Sequence, residues 1–253
     1  MKILWANEVQ GIGGAYGYAT HAAKMKEALI AAGVTLCFDE KDDFGLAVHI
    51  VLPNMFRPIR GKKNLLFTMN ETVDLHPDYV IEKERLPDFF VVPCKFCRDV
   101  FAHYYSVPIE ICPEGIDPVL FQFHQRKAPG PGEPFRFLWV GSAGPRKGHD
   151  IVSLAWTRWL RTGRMPRNCR LYIKTSGVYG PEMRYYRAAL NSERQRRVNG
   201  LPHGPYFWES NKLPASTPKL PGLVVDARNL LASELADLYR SAHAFILPSR
   251  GEA

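Results

Sequence analysis

Phe137-Leu-Trp-Val-Gly-Ser-Ala-Gly-Pro-Arg-Lys-Gly-His-Asp150 passes from an apolar run through glycine into charge. Phe135 to Val140 reads as a buried strand, Gly141 to Gly144 as a tight turn, and Pro145 introduces the basic pair Arg146-Lys147. Gly148 then opens onto an apolar-periodic helix, Ile151 to Leu160. A strand feeding a glycine turn and a helix start leaves unpaired N–H groups at the positive end of the helix dipole. That arrangement accepts a phosphate, and a lysine adds a point charge. Gly141, Gly144 and Gly148 do not fit G-x-G-x-x-G, and no G-K-[ST] is present, so this is neither a dinucleotide fingerprint nor a P-loop. The same residues also suit an ordinary strand–helix turn carrying a solvated basic pair.

Working outward, apolar strand runs alternate with helical patterns. Before the turn lie Met1 to Ala6, Val34 to Phe38, Leu46 to Leu52, Asn64 to Met69, Phe89 to Val92 and Ile109 to Cys112 as strands. Helices are expected at Tyr18 to Ala32, stopped by Gly33, at Asp78 to Arg85, and at Lys95 to Tyr105. The connections Asp39 to Gly45 and Pro53 to Lys63 are short for parallel crossovers. After the turn come strand Arg170 to Lys174, a basic helix near Glu182 to Arg197, and a long Pro/Gly/Asn loop, Leu201 to Pro221. Strand Leu223 to Val225, helix Ser233 to Ala242 with Ser233 as its cap, and strand Ala244 to Leu247 follow. Continuous apolar strands alternating with helices predict α/β architecture with parallel sheets covered on both faces. Gln122 to Pro134, polar and then alternating Pro with Gly, is the natural linker. It separates an N-terminal domain, 1–121, from a second, 135–253.

Composition bounds the function. The 253 residues are 46% hydrophobic and 12% aromatic, enough for a sizeable core, and no run approaches the roughly 18 apolar residues of a membrane span. Met1-Lys-Ile-Leu enters a strand directly, without a signal-peptide pattern, so a cytoplasmic protein is expected. Five cysteines suit reduced thiols; Cys94-Lys-Phe-Cys97 at a strand–helix junction is a redox candidate, but no second pair supports a zinc site. The net charge of +8 is uneven: Arg146 to Lys219 holds 15 Lys+Arg against 4 Asp+Glu. That basic stretch suits a phosphorylated substrate, an anionic membrane face or nucleic acid. No nucleic-acid signature or interleaved aromatic platform accompanies it, which argues against nucleic acid.

Five stretches, in order, resemble glycosyltransferase family four. Met1-Lys-Ile-Leu with Gly13-Gly14 resembles the family's opening strand and glycine loop. Val91-Val-Pro-Cys-Lys-Phe-Cys-Arg-Asp-Val-Phe101 is similar to its "VPSEFCREVF"-like segment, and Ile111-Cys-Pro-Glu-Gly-Ile-Asp117 with Phe121 to "IPNGVDxxxF". Leu138-Trp-Val-Gly-Ser-Ala-Gly-Pro-Arg-Lys-Gly148 resembles "VGRLxPEKG", and Glu234 to Glu252 resembles "ELxxLYRxADVFVLPSxxEG".

The resemblance implies a GT-B fold of two Rossmann-like parallel-sheet domains, the second incomplete here. It implies a retaining transferase moving a hexose from a nucleoside-diphosphate sugar to a saccharide or lipid-linked acceptor, without metal or other cofactor. Lys147 with backbone near Gly13 and Gly14 would hold the donor diphosphate between the domains, and lysine with helix ends can neutralise such a leaving group without a metal. Ser142 stands where many members carry an arginine, and Arg146 is placed to supply that charge. Glu252 would be the first glutamate of an E-x7-E motif touching the donor sugar. Glu71, in Met69-Asn-Glu71, is the acceptor-side base or orienting group. His21 and His49 read as core or helix-face residues. The family's second glutamate would lie beyond Ala253, which implies an N-terminal fragment of an enzyme of roughly 350 to 400 residues. Peripheral attachment at the inner membrane face, a basic binding module, and an inactive transferase fragment are the alternatives.

Overall fold

The computed structural model describes residues 2–8, 17–142, 145–175, 222–226 and 230–250. The expected basic helix at 182–197 and the loop at 201–221 lie outside them. The chain divides into two compact units, Met1–Gly115 and Ile116–Arg250.

The first unit is a six-stranded sheet of β1 (Lys2–Glu8), β2 (Thr35–Cys37), β3 (Leu46–Ile50), β4 (Lys63–Phe67), β5 (Phe89–Val92) and β6 (Ile109–Ile111), with α1 (Gly17–Ala31) and α2 (Lys95–Tyr104). The strand order is β2-β1-β3-β4-β5-β6, and every pairing is parallel. A parallel sheet must be covered on both faces. On one face, Tyr18, Met25 and Leu29 of α1 pack on Ile3, Trp5, Val48, Ile50 and Phe67. On the other, α2 sets Cys97, Phe101 and Tyr105 against Leu66, Phe90 and Val92. Phe90 and Phe101 are fully buried, and each such side chain contributes about 2–3 kcal/mol.

Both short crossovers are parallel without an α-helix. Between β3 and β4 a single 3-10 turn, Pro53–Met55, does the work, with Phe56 completely buried beneath it. The expected helix over 78–85 is instead two 3-10 turns, Pro77–Tyr79 and Lys83–Arg85. Between them Ile81 is buried, its N–H donating to the Tyr105 hydroxyl at 2.8 Å, while that hydroxyl also meets the Tyr79 carbonyl at 3.2 Å. This tertiary anchor replaces the i→i−4 ladder that the periodicity suggested.

The second unit carries β7 (Phe135–Val140), α3 (His149–Arg161), β8 (Cys169–Lys174), β9 (Leu223–Asp226), α4 (Ala232–Ser241) and β10 (Ala244–Phe245). Its four strands are again parallel, in the order β10-β7-β8-β9. Val152 and Trp156 of α3 lie on Trp139, Leu171 and Ile173. The cap of α4 differs from expectation: Leu231 occupies the N-cap and the Glu234 carboxylate accepts its N–H at 2.7 Å, so Ser233 falls inside the helix. At the other end Arg126, from the Pro/Gly stretch, donates to the carbonyls of Tyr239 at 2.7 Å and Arg240 at 3.1 Å, and to that of Ala242. A cation on the last carbonyls of a helix is favourable to both the orphan acceptors and the dipole.

Candidate functional site

In an open parallel sheet, loops at the carboxyl ends of the strands are where ligands bind. At the end of β7, the Gly141 N–H donates to the Lys174 carbonyl at 3.0 Å, tying the start of the turn to β8. Pro145–Lys147 form a 3-10 turn, and Gly148, with φ of 68°, is the N-cap of α3. The Trp139 indole N–H holds the Lys147 carbonyl at 3.0 Å, so the buried core fixes the backbone of the basic pair. Arg146 is exposed, and Lys147 and Ser142 are half-buried. These three expected donor residues therefore share one turn at the carboxyl end of the second sheet. Gly13, Gly14 and Glu252 lie outside the described residues.

The 248–250 segment closes on this turn. The Arg250 N–H donates to the Arg146 carbonyl at 2.7 Å, and the Ser249 hydroxyl donates to the same oxygen at 3.2 Å. The Arg250 guanidinium grips both carboxylate oxygens of Asp150 at 2.9 and 2.8 Å. That contact first, and then lesser contributions from His149 and the Ile151 N–H, holds the Asp150 carboxyl below the usual range. Asp150 thus sets a protein carboxylate in the first turn of α3, where the dipole favours an anion. Sequence reading missed this pair because its members are a hundred residues apart; the only local signal is an acid two residues past a glycine cap.

In the first unit, Glu71 follows β4 in a loop held by buried side chains. The Tyr18 hydroxyl lies 3.2 Å from the Thr68 hydroxyl and accepts the Met69 N–H at 3.0 Å. Burial pushes the Tyr18 phenol up to about 12, so it stays protonated. Asn70 is buried, its amide donating to the Thr72 carbonyl. The Cys97 thiol donates to the Asn70 carbonyl at 3.3 Å and lies 3.6 Å from the Cys94 sulfur. Burial raises the Cys97 thiol to about 11, which keeps that sulfur protonated.

His21, in α1, has a partner that periodicity cannot reveal. Its Nδ1 lies 2.7 Å from a Glu114 carboxylate oxygen in the loop after β6, and its ring packs 4.4 Å from that of Phe67. The histidine contact holds the Glu114 carboxyl below its ordinary value, against the opposing effect of burial. A depressed folded-state value means stability that is complete above the ordinary glutamate range and is lost as pH falls through the lowered value. Unfolding by urea between pH 6 and 3 should therefore show a shallower acid loss in Glu114→Gln than in the parent; identical slopes would remove this pair from the account.

Among the described residues, no three His, Cys, Asp or Glu side chains gather as a metal-binding group. Among them, too, no helix is long and apolar enough to cross a membrane.

No protein-family model and no curated protein matches the sequence. Solved structures do. Trehalose-6-phosphate synthase OtsA is 14% identical with a TM-score of 0.55, the match covering 90% of this chain and 55% of that one. HepE of Anabaena, in complex with UDP-glucose, is 12% identical with a TM-score of 0.54, over 98% of this chain and 74% of that one. An α-glucosyltransferase in complex with UDP-glucose and DNA containing an abasic site is 10% identical with a TM-score of 0.51, over 98% and 72%. The chain spans about half the length of the trehalose-6-phosphate synthase it resembles. At these identities the likeness is one of architecture: the chain has an α/β fold of the GT-B type, with two Rossmann-like parallel sheets.

Proposed function

We propose that the chain belongs to a retaining glycosyltransferase of family four that moves a hexose from a nucleoside-diphosphate sugar to a saccharide or lipid-linked acceptor, without a metal. One observation carries the reading: a basic pair on a core-anchored turn at the carboxyl end of the second sheet, in a fold whose similar structures include two complexes with UDP-glucose. In this reading Lys147 and Arg146 neutralise the donor diphosphate, Ser142 donates a hydrogen bond to it, and Gly13 with Gly14 bring backbone close. Preorganised positive charge at a leaving group lowers the barrier without proton bookkeeping. The leaving phosphate then helps to deprotonate the acceptor on the face it vacates, Glu71 orients that acceptor, and Glu252 holds donor hydroxyls. Residues 1–121 would serve the acceptor and 135–253 the donor, joined by 122–134.

Calorimetric titration with UDP, GDP and ADP tests this. One of the three should bind, and Lys147→Ala should weaken it by about tenfold, the worth of one charge-assisted contact. A folded protein that binds none of them at millimolar concentration would end the assignment.

A second reading rests on Arg158, Arg161, Arg164 and Arg167, all exposed between the end of α3 and β8. This patch lies at the amino end of the second sheet, away from the Lys147 turn, and suits peripheral contact with an anionic membrane. Vesicles containing anionic lipid should then bind the protein at low salt and release it at high salt.

A further inference from the structure

The first unit holds a cavity of about 580 Å³ that the donor turn does not use. It lies over the carboxyl halves of β1 and β3, on the sheet face opposite α1, beneath the 57–62 part of the β3–β4 crossover. Its polar lining is Asn7, Glu40, His49, Arg57, Arg60 and Lys62, three cations to one carboxylate. Two of the cations are held in place. Arg57 Nη1 donates to the carbonyls of Asn54 and Phe56 at 2.9 and 2.8 Å. Lys62 Nζ donates to the Phe44 carbonyl at 3.1 Å and sits 4.6 Å from that ring's centre. Arg60 is exposed.

The wall of the cavity carries a second kind of chemistry. His49 is 1% exposed, and its Nε2 lies 3.1 Å from Asn64 Oδ1. Asn64 settles which nitrogen bears the proton. Its Nδ2 donates to the carbonyls of Ile59 and Lys62 at 3.1 and 2.8 Å, and its Oδ1 accepts the Ile59 N–H at 2.8 Å. Oδ1 is therefore the atom facing His49, Nε2 must donate to it, and Nδ1 of the neutral ring is left as an acceptor. That Nδ1 is buried and has no hydrogen-bond partner among the described residues. His49 lines the cavity, and because buried polar atoms are nearly always satisfied, its leftover lone pair calls for a donor, a water or a ligand hydroxyl that reaches it from the cavity side. Burial lowers the His49 imidazole's affinity for a proton, with the Asn64 contact opposing it, in keeping with a neutral ring.

We propose that this cavity binds a hydroxylated phosphate monoester, with its phosphate on Arg57, Arg60 and Lys62 and one hydroxyl donating to His49 Nδ1. Guanidinium forks match phosphate oxygens in pairs, and a lysine adds a third positive contact. Glu40 and Asn7 supply acceptors for further hydroxyls, and the volume suits a small organic ligand. The site stands whether or not the chain transfers sugars.

The test uses glycerol 3-phosphate, with inorganic phosphate and glycerol as controls, read by calorimetry and by the histidine ¹⁵N resonances. Glycerol 3-phosphate should bind more tightly than inorganic phosphate, glycerol should not bind, and the His49 Nδ1 resonance should move on saturation. Arg60→Ala should weaken binding about tenfold, whereas Lys83→Ala, an exposed lysine outside the cavity, should leave it unchanged. A silent His49 Nδ1, or glycerol 3-phosphate bound no better than inorganic phosphate, overturns the proposal. A parallel UDP titration keeps the two readings apart. UDP binding together with a His49 Nδ1 that stays silent under glycerol 3-phosphate removes the cavity site alone; glycerol 3-phosphate bound without any nucleotide binding removes the transfer reading alone.

Discussion

Gly148→Ala is expected to destabilise the second unit by about 3–5 kcal/mol, lowering its thermal midpoint by about 10 °C. Two costs combine. The backbone sits at φ of 68°, a left-handed conformation that costs a residue with a β-carbon about 1 kcal/mol or more. The added β-carbon would also lie 1.9 Å from the Pro248 carbonyl oxygen and 2.7 Å from its carbon, backbone atoms that cannot swing aside. Gly163→Ala isolates the first cost. Gly163 shares the same φ, and among the described residues nothing comes within 4 Å of where its β-carbon would stand. That control should lose about 1 kcal/mol. Equal losses in the two variants would mean that the 146–148 turn and the 248–250 segment do not meet. The consequence extends to function: the clash pushes Pro248 from the turn, and with it the Arg250–Arg146 and Arg250–Asp150 contacts. Nucleotide binding, if it uses Lys147, should fall in Gly148→Ala and survive in Gly163→Ala.

The Gly148 result also marks how far a sequence can be read. Local chemistry was legible. Phe89–Val92 and Phe135–Val140 are strands with the bounds their apolar runs suggest, and the glycine after the basic pair is a helix cap. What one segment cannot disclose is its partner. The 78–85 stretch has helical spacing, yet Tyr105 hydrogen-bonds its backbone in another geometry, and two short turns win. His49 reads as a core residue and is one, but its unsatisfied Nδ1 depends on the orientation of the Asn64 amide fifteen residues on. Asn64 itself, an amide opening the apolar run of β4, carries no signal that distinguishes it from a surface position. Glu114 and Arg250 find His21 and Asp150 only once the sheets are assembled. The strand, turn and helix around the basic pair are legible because they lie within one continuous stretch; the cavity is not, because its lining comes from four separate segments.

Asn64→Leu is accordingly expected to cost about 4 kcal/mol, although the two side chains share the same count and branching of heavy atoms. Asn64 is 4% exposed, and its amide satisfies four groups at once: the Ile59 N–H, the Ile59 and Lys62 carbonyls, and His49 Nε2–H. Leucine answers none of them, and each buried group left without a partner costs about 1–3 kcal/mol, less whatever water recovers. Urea unfolding measures the loss. Asn64→Asp separates the donors from the acceptor, since it keeps an oxygen toward His49 and Ile59 but cannot donate to the two carbonyls. It should therefore also be destabilised near neutral pH, while the new carboxylate favours the charged imidazole and raises the His49 titration midpoint in the NMR spectrum. At a pH below the raised midpoint Nδ1 carries a proton and donates instead of accepting. If the cavity accepts a ligand hydroxyl at Nδ1, Asn64→Asp must then weaken glycerol 3-phosphate relative to inorganic phosphate, whereas a site that recognises phosphate alone would change both together. A loss below about 1 kcal/mol in Asn64→Leu would show that water takes over the four groups. The β3–β4 crossover would then be held chiefly by the burial of Phe56 beneath it.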